Sequence, residues 1–308
     1  MRVWLPYADT DEAERRLGGL PNGVEVDCYR ADGDPLPSSI DQVEFYVLPY
    51  MRGEEVLSRA AEMSNLKVIQ TLTAGFENFL PHVPDGVTLC NAAGVHDAST
   101  AELAIALALA NGRHLDDFAR NQTSSRWAPA MGQALADRRV LIIGYGRIGE
   151  AIDRRLAGFE VASVTRVARR ARTGEVAVHS IEELHDLLPE ADVVFVIAPL
   201  TPDTENLLDG EALALLPDGA LLVNVARGKL VDTEALLAET SSGRLRAALD
   251  VTEPEPLPSD HPLWTTPGVL ISPHVGGASS AFFPRADRLI AAQLARFAAG
   301  QKLENIVR

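Results

Sequence analysis

Short apolar runs alternate along the chain with longer stretches in which apolar residues recur at helical spacing. This alternation is typical of parallel α/β folds, because each helix carries the chain back to start the next parallel strand. In the first part of the chain it predicts a helix at 54–63 and strands at 3–5, 24–29, 45–48, 66–70 and 88–91. From residue 140 it predicts six strands, at 140–143, 161–164, 193–197, 220–224, 247–250 and 269–272. Helices at 148–156, 181–188, 211–216 and 233–238 separate most of them, which predicts a doubly wound dinucleotide-binding domain.

Two further helices are predicted outside these repeats. Residues 101–110 are apolar almost all round, which is typical of a helix that is buried on several sides. Ser99 or Thr100 is the expected N-cap, and Glu102 places a negative charge in the first turn, where the helix dipole favours it. Residues 285–299 form an amphipathic helix that is expected to fold back onto the first domain.

Composition narrows the class of protein. A chain of 308 residues is long enough for about two domains. Its composition, 46% hydrophobic and 23% charged residues, provides enough apolar side chains for a buried core and excludes wholesale disorder. No apolar run is long enough to span a membrane, and the first residues lack the pattern of a signal peptide. Cys28 and Cys90 fit neither a disulfide framework nor a zinc pattern, so we expect reduced thiols and no metal site. The net charge of −15 argues against nucleic acid as a partner, and we expect a cytoplasmic protein.

The predicted strand at 140–143 leads directly into a glycine pattern at the start of a helix. Gly144, Gly146 and Gly149 have the G-x-G-x-x-G spacing. The first glycine permits a tight turn, the second lets the backbone approach a pyrophosphate, and the third allows the helix to pack closely on the strand. A dinucleotide site is favoured over a ligand-free turn or an S-adenosylmethionine site. The expected cofactor contacts in this loop are Gly144, Gly146, Arg147, Ile148 and Gly149.

Basic residues stand where an NAD-binding protein usually carries an acid. The predicted strand at 161–164 is followed by Thr165 and Arg166, without the carboxylate that would bind the ribose hydroxyls. Three more arginines follow at Arg169, Arg170 and Arg172. A 2′-phosphate needs cationic donors, so this cluster favours NADP, with Arg166 and Arg169 as its main contacts. The alternative is a solvated basic loop.

Three later strands are each followed by a residue suited to the reduction of a carbonyl group. Arg227 follows the fourth predicted strand, Glu253 and Glu255 the fifth, and His274 the sixth. The carboxyl ends of parallel strands share one edge of the sheet, so these side chains are expected to converge. An arginine can bind a substrate carboxylate, a histidine can protonate a carbonyl oxygen, and a carboxylate favours the imidazolium. Taken singly, each of these residues has a structural alternative.

These motifs resemble the D-isomer-specific 2-hydroxyacid dehydrogenases, a family that includes glyoxylate/hydroxypyruvate reductases and phosphoglycerate dehydrogenases. The resemblance covers nearly the whole chain and is most specific at 224–228, at 250–256 followed by 261–264, and at 273–277, while 198–202 also matches a turn of the family beside the cofactor. It implies an α/β protein of two Rossmann-like doubly wound domains with the active site in a cleft between them, and a homodimer. The expected boundaries are 1–98 with 280–308 for a discontinuous substrate-binding domain, and 99–279 for the NAD(P)-binding domain.

The resemblance also implies roles for individual residues. It makes Arg227 the substrate arginine and His274 the acid/base, with Glu255 rather than Glu253 as the partner of the histidine. Asp250 would hold the carboxamide of the nicotinamide. The backbone amides around Ala74 and Gly75 would meet the substrate carboxylate. Further cofactor contacts are expected at Thr165, Pro199, Thr204, Val225, Ala226 and Gly276.

The sequence therefore predicts an oxidoreductase that uses NADPH to reduce a small 2-oxo acid of the glyoxylate or hydroxypyruvate type. The D configuration of the product is implied by the resemblance alone, and NAD is the alternative cofactor. Two rivals stay open: an NAD(P)-sensing binding protein similar to the corepressors that resemble these dehydrogenases, and a dehydrogenase of another small anion such as phosphite. Thr73 and Ala74 stand where phosphite dehydrogenases carry a lysine, which disfavours the second rival. A methyltransferase would have no use for the Arg–Glu–His set.

Overall fold

The computed structural model describes residues 1–33 and 35–308, which divide into two compact units. The first unit comprises Met1–His96 and Ser280–Arg308, and the second comprises Asp97–Ser279. The chain leaves the first unit two residues before the boundary expected from the sequence, and it returns at residue 280.

The elements alternate between strand and helix over most of the chain. The strands are β1 (Arg2–Leu5), β2 (Glu25–Cys28), β3 (Val43–Val47), β4 (Val68–Gln70), β5 (Thr88–Cys90), β6 (Arg139–Ile143), β7 (Ser163–Ala168), β8 (His179–Ser180), β9 (Val193–Val196), β10 (Leu221–Asn224), β11 (Arg246–Leu249) and β12 (Val269–Ile271). The α-helices are α1 (Thr10–Leu17), α2 (Asp97–Gly112), α3 (Leu115–Thr123), α4 (Arg147–Leu156), α5 (Leu184–Leu187), α6 (Gly210–Leu215), α7 (Thr233–Ser241) and α8 (Phe282–Ala298).

The first unit is built on a five-stranded parallel sheet in the order β2-β1-β3-β4-β5. Such a sheet is covered on both faces, so its strands are apolar almost throughout. One face packs against α1 and α8, through residues such as Ala13, Phe282 and Leu294. The last helix in the chain therefore completes the core of the first unit.

The other face of this sheet is covered by two short 3₁₀ helices, Glu54–Leu57 and Ala60–Glu62. The prediction of one α-helix over 54–63 is wrong. Arg59 has φ −111° and ψ 15°, which interrupts the helical hydrogen bonding between the two turns. An isolated ten-residue helix is only marginally stable, so the burial of Val56, Leu57 and Ala60 decides the backbone path instead.

The second unit contains a seven-stranded parallel sheet in the order β12-β11-β10-β9-β6-β7-β8. The strand order reverses between β6 and β9, and in open parallel sheets ligands bind beside the carboxyl ends of the strands at such a point. The sequence predicted six of these strands but missed β8, which is two residues long. It also missed α3, whose residues are largely polar.

Helix α2 packs against α4 and against β10, β11 and β12. It begins at Asp97, so the prediction that Ser99 or Thr100 caps it is wrong. Both residues lie inside the helix and are buried, and the Ser99 hydroxyl hydrogen-bonds to that of Ser279 at 2.6 Å. The acid in the first turn is Asp97, where the helix dipole favours a negative charge.

Cys28 and Cys90 are free thiols in this structure. Burial raises the pKa of each thiol to about 11, so both stay protonated at neutral pH. None of the helices in the described part of the chain is both long enough and apolar enough to cross a lipid bilayer.

The central strand β9 provides a direct test of the second core. Phe195 is fully buried in β9, so Phe195→Ala should lower the free energy of unfolding of this unit by about 3–5 kcal/mol through lost burial and a residual cavity. Leu215→Ala, at a side chain with 37% exposure on α6, should cost under about 1 kcal/mol. The measurement is urea-dependent hydrogen exchange of the β9 and β10 amides. Equal losses in the two variants would contradict this description of the core.

Candidate active site

The glycine loop that follows β6 has the geometry of a dinucleotide cradle. Gly144 has φ +104°, and a Cβ atom there would lie 2.5 Å from the backbone of Ile197 and Ala198. A Cβ at Gly149 would lie 2.2 Å from the carbonyl oxygen of Gly144, so helix α4 packs directly on the loop. Gly146 precedes the first turn of α4, and a Cβ there would meet no atom within 4 Å. The backbone at Gly146 is therefore open to the close approach of a ligand at the start of α4, which fits the pyrophosphate of a nicotinamide dinucleotide.

The two residues between Gly146 and Gly149 belong to the first turn of α4. Arg147 is exposed and its Nε donates to Oδ2 of Asp97 at 2.7 Å, whereas Ile148 is half-buried and packs against the core. The side chain of Arg147 is thus held at the mouth of the glycine loop by an acid from α2.

The second strand of this unit is longer than the sequence predicted. The prediction that the strand ends before Thr165 and Arg166 is wrong, because β7 runs from Ser163 to Ala168 and both residues pair with β6. The guanidinium of Arg166 makes two hydrogen bonds to the carboxylate of Asp153 on α4, at 2.7 and 3.0 Å. Polar residues are tolerated within this strand because that helix provides a partner for the charge.

Asp153 is the centre of a small polar cluster. It accepts a hydrogen bond from the hydroxyl of Tyr145 at 2.5 Å as well as the two from Arg166. Burial raises the pKa of the Asp153 carboxyl, but these donors outweigh burial and the net pKa is lowered. The Tyr145 ring also contacts the guanidinium groups of Arg166 and Arg172, 5.8 and 5.7 Å from its centroid. Arg166 is therefore committed to contacts within the protein.

The true carboxyl end of β7 lies beside the glycine loop. The amide of Gly144 donates to the carbonyl of Val167 at 2.9 Å, and the chain continues from Ala168 into Arg169 and Arg170, both exposed. These two arginines, rather than Arg166, follow the strand at the position that selects between nicotinamide cofactors. Arg172 is tied to the loop itself, because it donates to the carbonyl of Tyr145.

Four more of the predicted cofactor contacts lie after β9 and β10. Pro199 is exposed and its carbonyl accepts a hydrogen bond from the hydroxyl of Thr204 at 2.8 Å, which closes the turn. Val225 and Ala226 are buried, and their amides bond to the carbonyl of Val196 and the side chain of Asn224. The four residues follow two adjacent parallel strands, β9 and β10, at their carboxyl ends.

His274 and Glu255 form a hydrogen-bonded pair on this same edge. Nδ1 of His274 lies 2.5 Å from Oε1 of Glu255, and the two side chains are 48% and 39% exposed. Glu255, not Glu253, is thus the acid that contacts the imidazole. Because Nδ1 is occupied by the carboxylate, Nε2 is the ring nitrogen left to exchange a proton with a substrate.

The pair shifts the pKa of both partners. The hydrogen bond that Nδ1 of His274 donates to Glu255 raises the pKa of His274 above its ordinary value of 6.5, against the opposing effects of burial and of the positive charge of Arg227. Burial raises the pKa of Glu255, but the hydrogen bond and charge of His274, the amide of Thr252 and the charge of Arg227 outweigh it and lower the net pKa. Arg227 is therefore close enough for its charge to act on both members of the pair.

The loop that carries Arg227 is held by the buried side chain of Asn224. This amide accepts from the N–H of Ala226 at 3.0 Å and donates to the carbonyl of Arg227 at 2.8 Å. Nη1 of Arg227 donates to the carbonyl of Ala226 at 2.7 Å. A Cβ at Gly228 would lie 2.0 Å from the carbonyl oxygen of Thr252, so only glycine lets this loop approach the turn that leads to Glu255.

Asp250 holds the loop that carries His274. Its buried carboxylate accepts three hydrogen bonds, from the hydroxyl of Ser272 at 2.5 Å and from the amides of Val275 and Gly276 at 2.9 and 2.8 Å. Its carbonyl accepts a fourth from the amide of His274 at 2.8 Å. A carboxylate has about four acceptor positions, so one remains for an external donor such as a carboxamide.

In the first unit, the segment after β4 has its carbonyl groups fixed by the protein. Nε2 of His96 bonds to the carbonyl of Leu72 at 2.8 Å, and Nδ2 of Asn91 donates to that of Ala74 at 2.7 Å. The carbonyl of Thr73 accepts from the amide of Ala92 at 2.9 Å. None of the described residues accepts a hydrogen bond from the amides of Thr73, Ala74 or Gly75. This run of unpaired amides is suited to an anion.

Several residues of these sites were missed in the sequence. Asn224, Ser272 and Gly228 lie within or beside the motifs, but their roles depend on contacts between loops that are far apart in the chain. Asn91 and His96 follow β5 and act on a loop about twenty residues earlier. Their positions after a strand were the one available signal, and it did not reveal what they contact.

Comparison with known proteins places these motifs in one family. Residues 105–276 match the family model described as D-isomer specific 2-hydroxyacid dehydrogenase, NAD binding domain. The chain is 37% identical over 226 residues to the glyoxylate reductase/hydroxypyruvate reductase of Mus musculus, covering 70% of this chain and 69% of the mouse protein. It is 32% identical over 308 residues to a glyoxylate reductase of Korarchaeum cryptofilum, covering 96% and 92% of the two chains.

Solved structures of the same family are similar to this chain over nearly its full length. A D-isomer specific 2-hydroxyacid dehydrogenase from Xanthobacter autotrophicus, in complex with NADPH and MES, superposes with a TM-score of 0.81 at 30% identity. The superposition covers 100% of this chain and 97% of that one. An NADPH-dependent glyoxylate/hydroxypyruvate reductase from Sinorhizobium meliloti, in complex with NADP and malonate, has a TM-score of 0.79 at 26% identity, covering 99% and 96%.

The contact between His274 and Glu255 leads to a prediction about the titration of His274. Glu255→Gln should lower the pKa of His274, because an amide does not favour the imidazolium as a carboxylate does. The measurement is an NMR titration of the histidine ring protons in the isolated protein. An unchanged His274 titration would contradict the assigned electrostatics.

Proposed function

Since the chain belongs to the D-isomer-specific 2-hydroxyacid dehydrogenases, which are nicotinamide-dependent oxidoreductases, we propose that it reduces a small 2-oxo acid of the glyoxylate or hydroxypyruvate type. We further propose that NADPH is the preferred reductant and that the product has the D configuration. The homodimer and the cytoplasmic location expected from the sequence stay predictions.

The proposal assigns the proton to His274. When bound, the reduced nicotinamide supplies a hydride to the carbonyl carbon of the substrate. The carbonyl oxygen gains negative charge at that moment, and the imidazolium donates its Nε2 proton to it. Glu255 keeps the imidazole in the required orientation and favours its protonated form before the reaction. In the reverse direction the neutral imidazole accepts the proton of the hydroxyl group.

The substrate carboxylate is assigned to cationic and amide donors. Arg227 offers a planar guanidinium that suits bidentate binding of a carboxylate. The unpaired amides of Ala74 and Gly75 are the second set of donors that the resemblance implies. The observation that carries the proposal is the His274–Glu255 pair, with the charge of Arg227 acting on both members, because this is the set of groups that reduction of a 2-oxo acid requires.

The preference for NADPH rests on the carboxyl end of β7. No acid follows that strand, and Arg169 and Arg170 stand exposed in its place. We assign the 2′-phosphate chiefly to Arg169. Arg166 was the other candidate from the sequence, but its two hydrogen bonds to Asp153 give it a structural role. Thr165 lies within β7, paired with Leu141, and supports the strand.

The activity is tested by NADPH oxidation with glyoxylate, hydroxypyruvate and pyruvate. Wild-type enzyme should turn over at least one of these acids, and His274→Gln should lower kcat by about 100- to 10,000-fold, the usual contribution of a general acid. His185→Gln replaces an exposed histidine on α5 and should leave kcat unchanged. Folded wild-type protein that reduces none of the 2-oxo acids would overturn the proposal.

The cofactor assignment is tested by paired arginine variants. Arg169→Ala should raise KM for NADPH by about tenfold or more, as expected for a lost charge-assisted hydrogen bond, and leave KM for NADH nearly unchanged. Arg166→Ala should instead lower stability and affect both cofactors alike, because it leaves Asp153 without its partner. Arg138→Ala removes the same charge just before β6, at the opposite edge of the sheet, and should change neither KM. Equal effects of Arg169→Ala on both cofactors would refute the assignment.

A further inference from the structure

The amides of Thr73, Ala74 and Gly75 owe their directions to the carbonyl groups that precede them. A peptide unit is planar, so the carbonyl of one residue and the N–H of the next point in opposite directions. The donor that fixes the carbonyl of Leu72 therefore also aims the N–H of Thr73. That donor is the ring of His96, through Nε2 at 2.8 Å.

We propose that His96 is a positioning residue, which aims the amides of the Leu72–Gly75 loop at the substrate carboxylate. The inference rests on the proposed function, and it adds the amide of Thr73, which His96 orients, to the amides of Ala74 and Gly75 assigned above. Asn91 does the same for the following amide of Gly75, through the carbonyl of Ala74. Ala92 does so for the amide between them, through the carbonyl of Thr73.

The hydrogen bond fixes the tautomer of His96. A carbonyl oxygen only accepts, so Nε2 carries the proton and Nδ1 of the neutral ring is an acceptor. Nδ1 is buried and finds no hydrogen-bond partner among the described residues. His96 is 7% exposed, so water does not easily reach this nitrogen. The ring therefore carries an unpaired polar atom, which costs free energy in an apolar setting.

The surroundings of His96 would suit an apolar ring better. Its imidazole lies in a stack with Phe282, at 5.4 Å between centroids and 11° between planes, and with Tyr50, at 5.7 Å and 20°. A phenylalanine would fill this stack without burying an unpaired nitrogen. What the imidazole supplies, and a phenyl ring lacks, is the Nε2–H that holds the carbonyl of Leu72. The unpaired Nδ1 of His96 therefore lowers stability, while the Nε2–H of the same ring fixes the orientation of the loop.

This argument makes His96→Phe an informative variant. The substitution keeps an aromatic ring in the stack and removes the unpaired Nδ1, while the carbonyl of Leu72 loses its donor. The two effects on stability oppose each other, so Tm should stay near that of the wild type. The peptide between Leu72 and Thr73 is then free to rotate, and the affinity for a carboxylate should fall. His96→Gln places an amide N–H near the position of Nε2 and should restore most of the affinity.

The test is calorimetric binding of oxamate, an unreactive analogue of a 2-oxo acid, to enzyme saturated with NADPH. His96→Phe should weaken oxamate binding roughly tenfold, as expected for the loss of one buried hydrogen bond. The same variant should raise KM for the 2-oxo acid while leaving kcat and KM for NADPH near the wild-type values. His82→Gln, at an exposed histidine of the same unit, should change none of these quantities.

The outcomes separate this inference from the proposed function. Equal oxamate affinity in wild type and His96→Phe would overturn the role of His96, as would equal weakening in the Phe and Gln variants. Wild-type enzyme that binds oxamate but reduces no 2-oxo acid would overturn the proposed function, and a tenfold difference between the variants would still support His96. Wild-type enzyme that does not bind oxamate would contradict both.

Discussion

The conformation of His274, the proposed acid/base, depends on the buried carboxylate of Asp250. His274 has φ +52°, a left-handed conformation that is uncommon for a residue with a side chain. The four hydrogen bonds that Asp250 accepts from residues 272–276 hold the loop in this conformation. With the backbone fixed, the imidazole meets Glu255, and the rest of the site follows from that contact. Replacement of Asp250 is therefore expected to disturb the conformation of His274 as well as any contact with a cofactor.

Opposite charges decide which arginines are available for ligands. Arg166 and Arg169 are three residues apart on one segment, yet an acid on α4 engages the first and the second stands exposed at the end of the strand. A chain with net charge −15 has many carboxylates that can occupy its arginines in this way. The arginines proposed to bind anions are those that lie at the carboxyl edge of the sheet, where the ends of parallel strands bring them together.

Much of this arrangement could be predicted from the sequence, because the apolar pattern of the strands and the types of residue that follow them indicated the same edge of one sheet. Buried parallel strands are apolar over their whole length, so the sheet of the second unit was visible, and the strands themselves brought Arg227, Glu255 and His274 to one edge. The predicted ends of elements were wrong where a residue distant in sequence stabilises a local structure that the sequence pattern alone does not indicate. Thr165 and Arg166 looked like the end of a strand, but Asp153 lets the strand continue. The start of α2 at Asp97 and the break at Arg59 likewise depend on tertiary contacts that the local sequence does not specify.

The central claim is that His274, paired with Glu255, carries the proton in both directions of the reaction. It is tested most directly by the pH dependence of kcat/KM, measured for reduction of the 2-oxo acid and for oxidation of the corresponding 2-hydroxy acid. The account predicts that reduction loses activity as pH rises, that oxidation gains it, and that both change through the same pKa, above 6.5. Rates that rise or fall together in the two directions would contradict it.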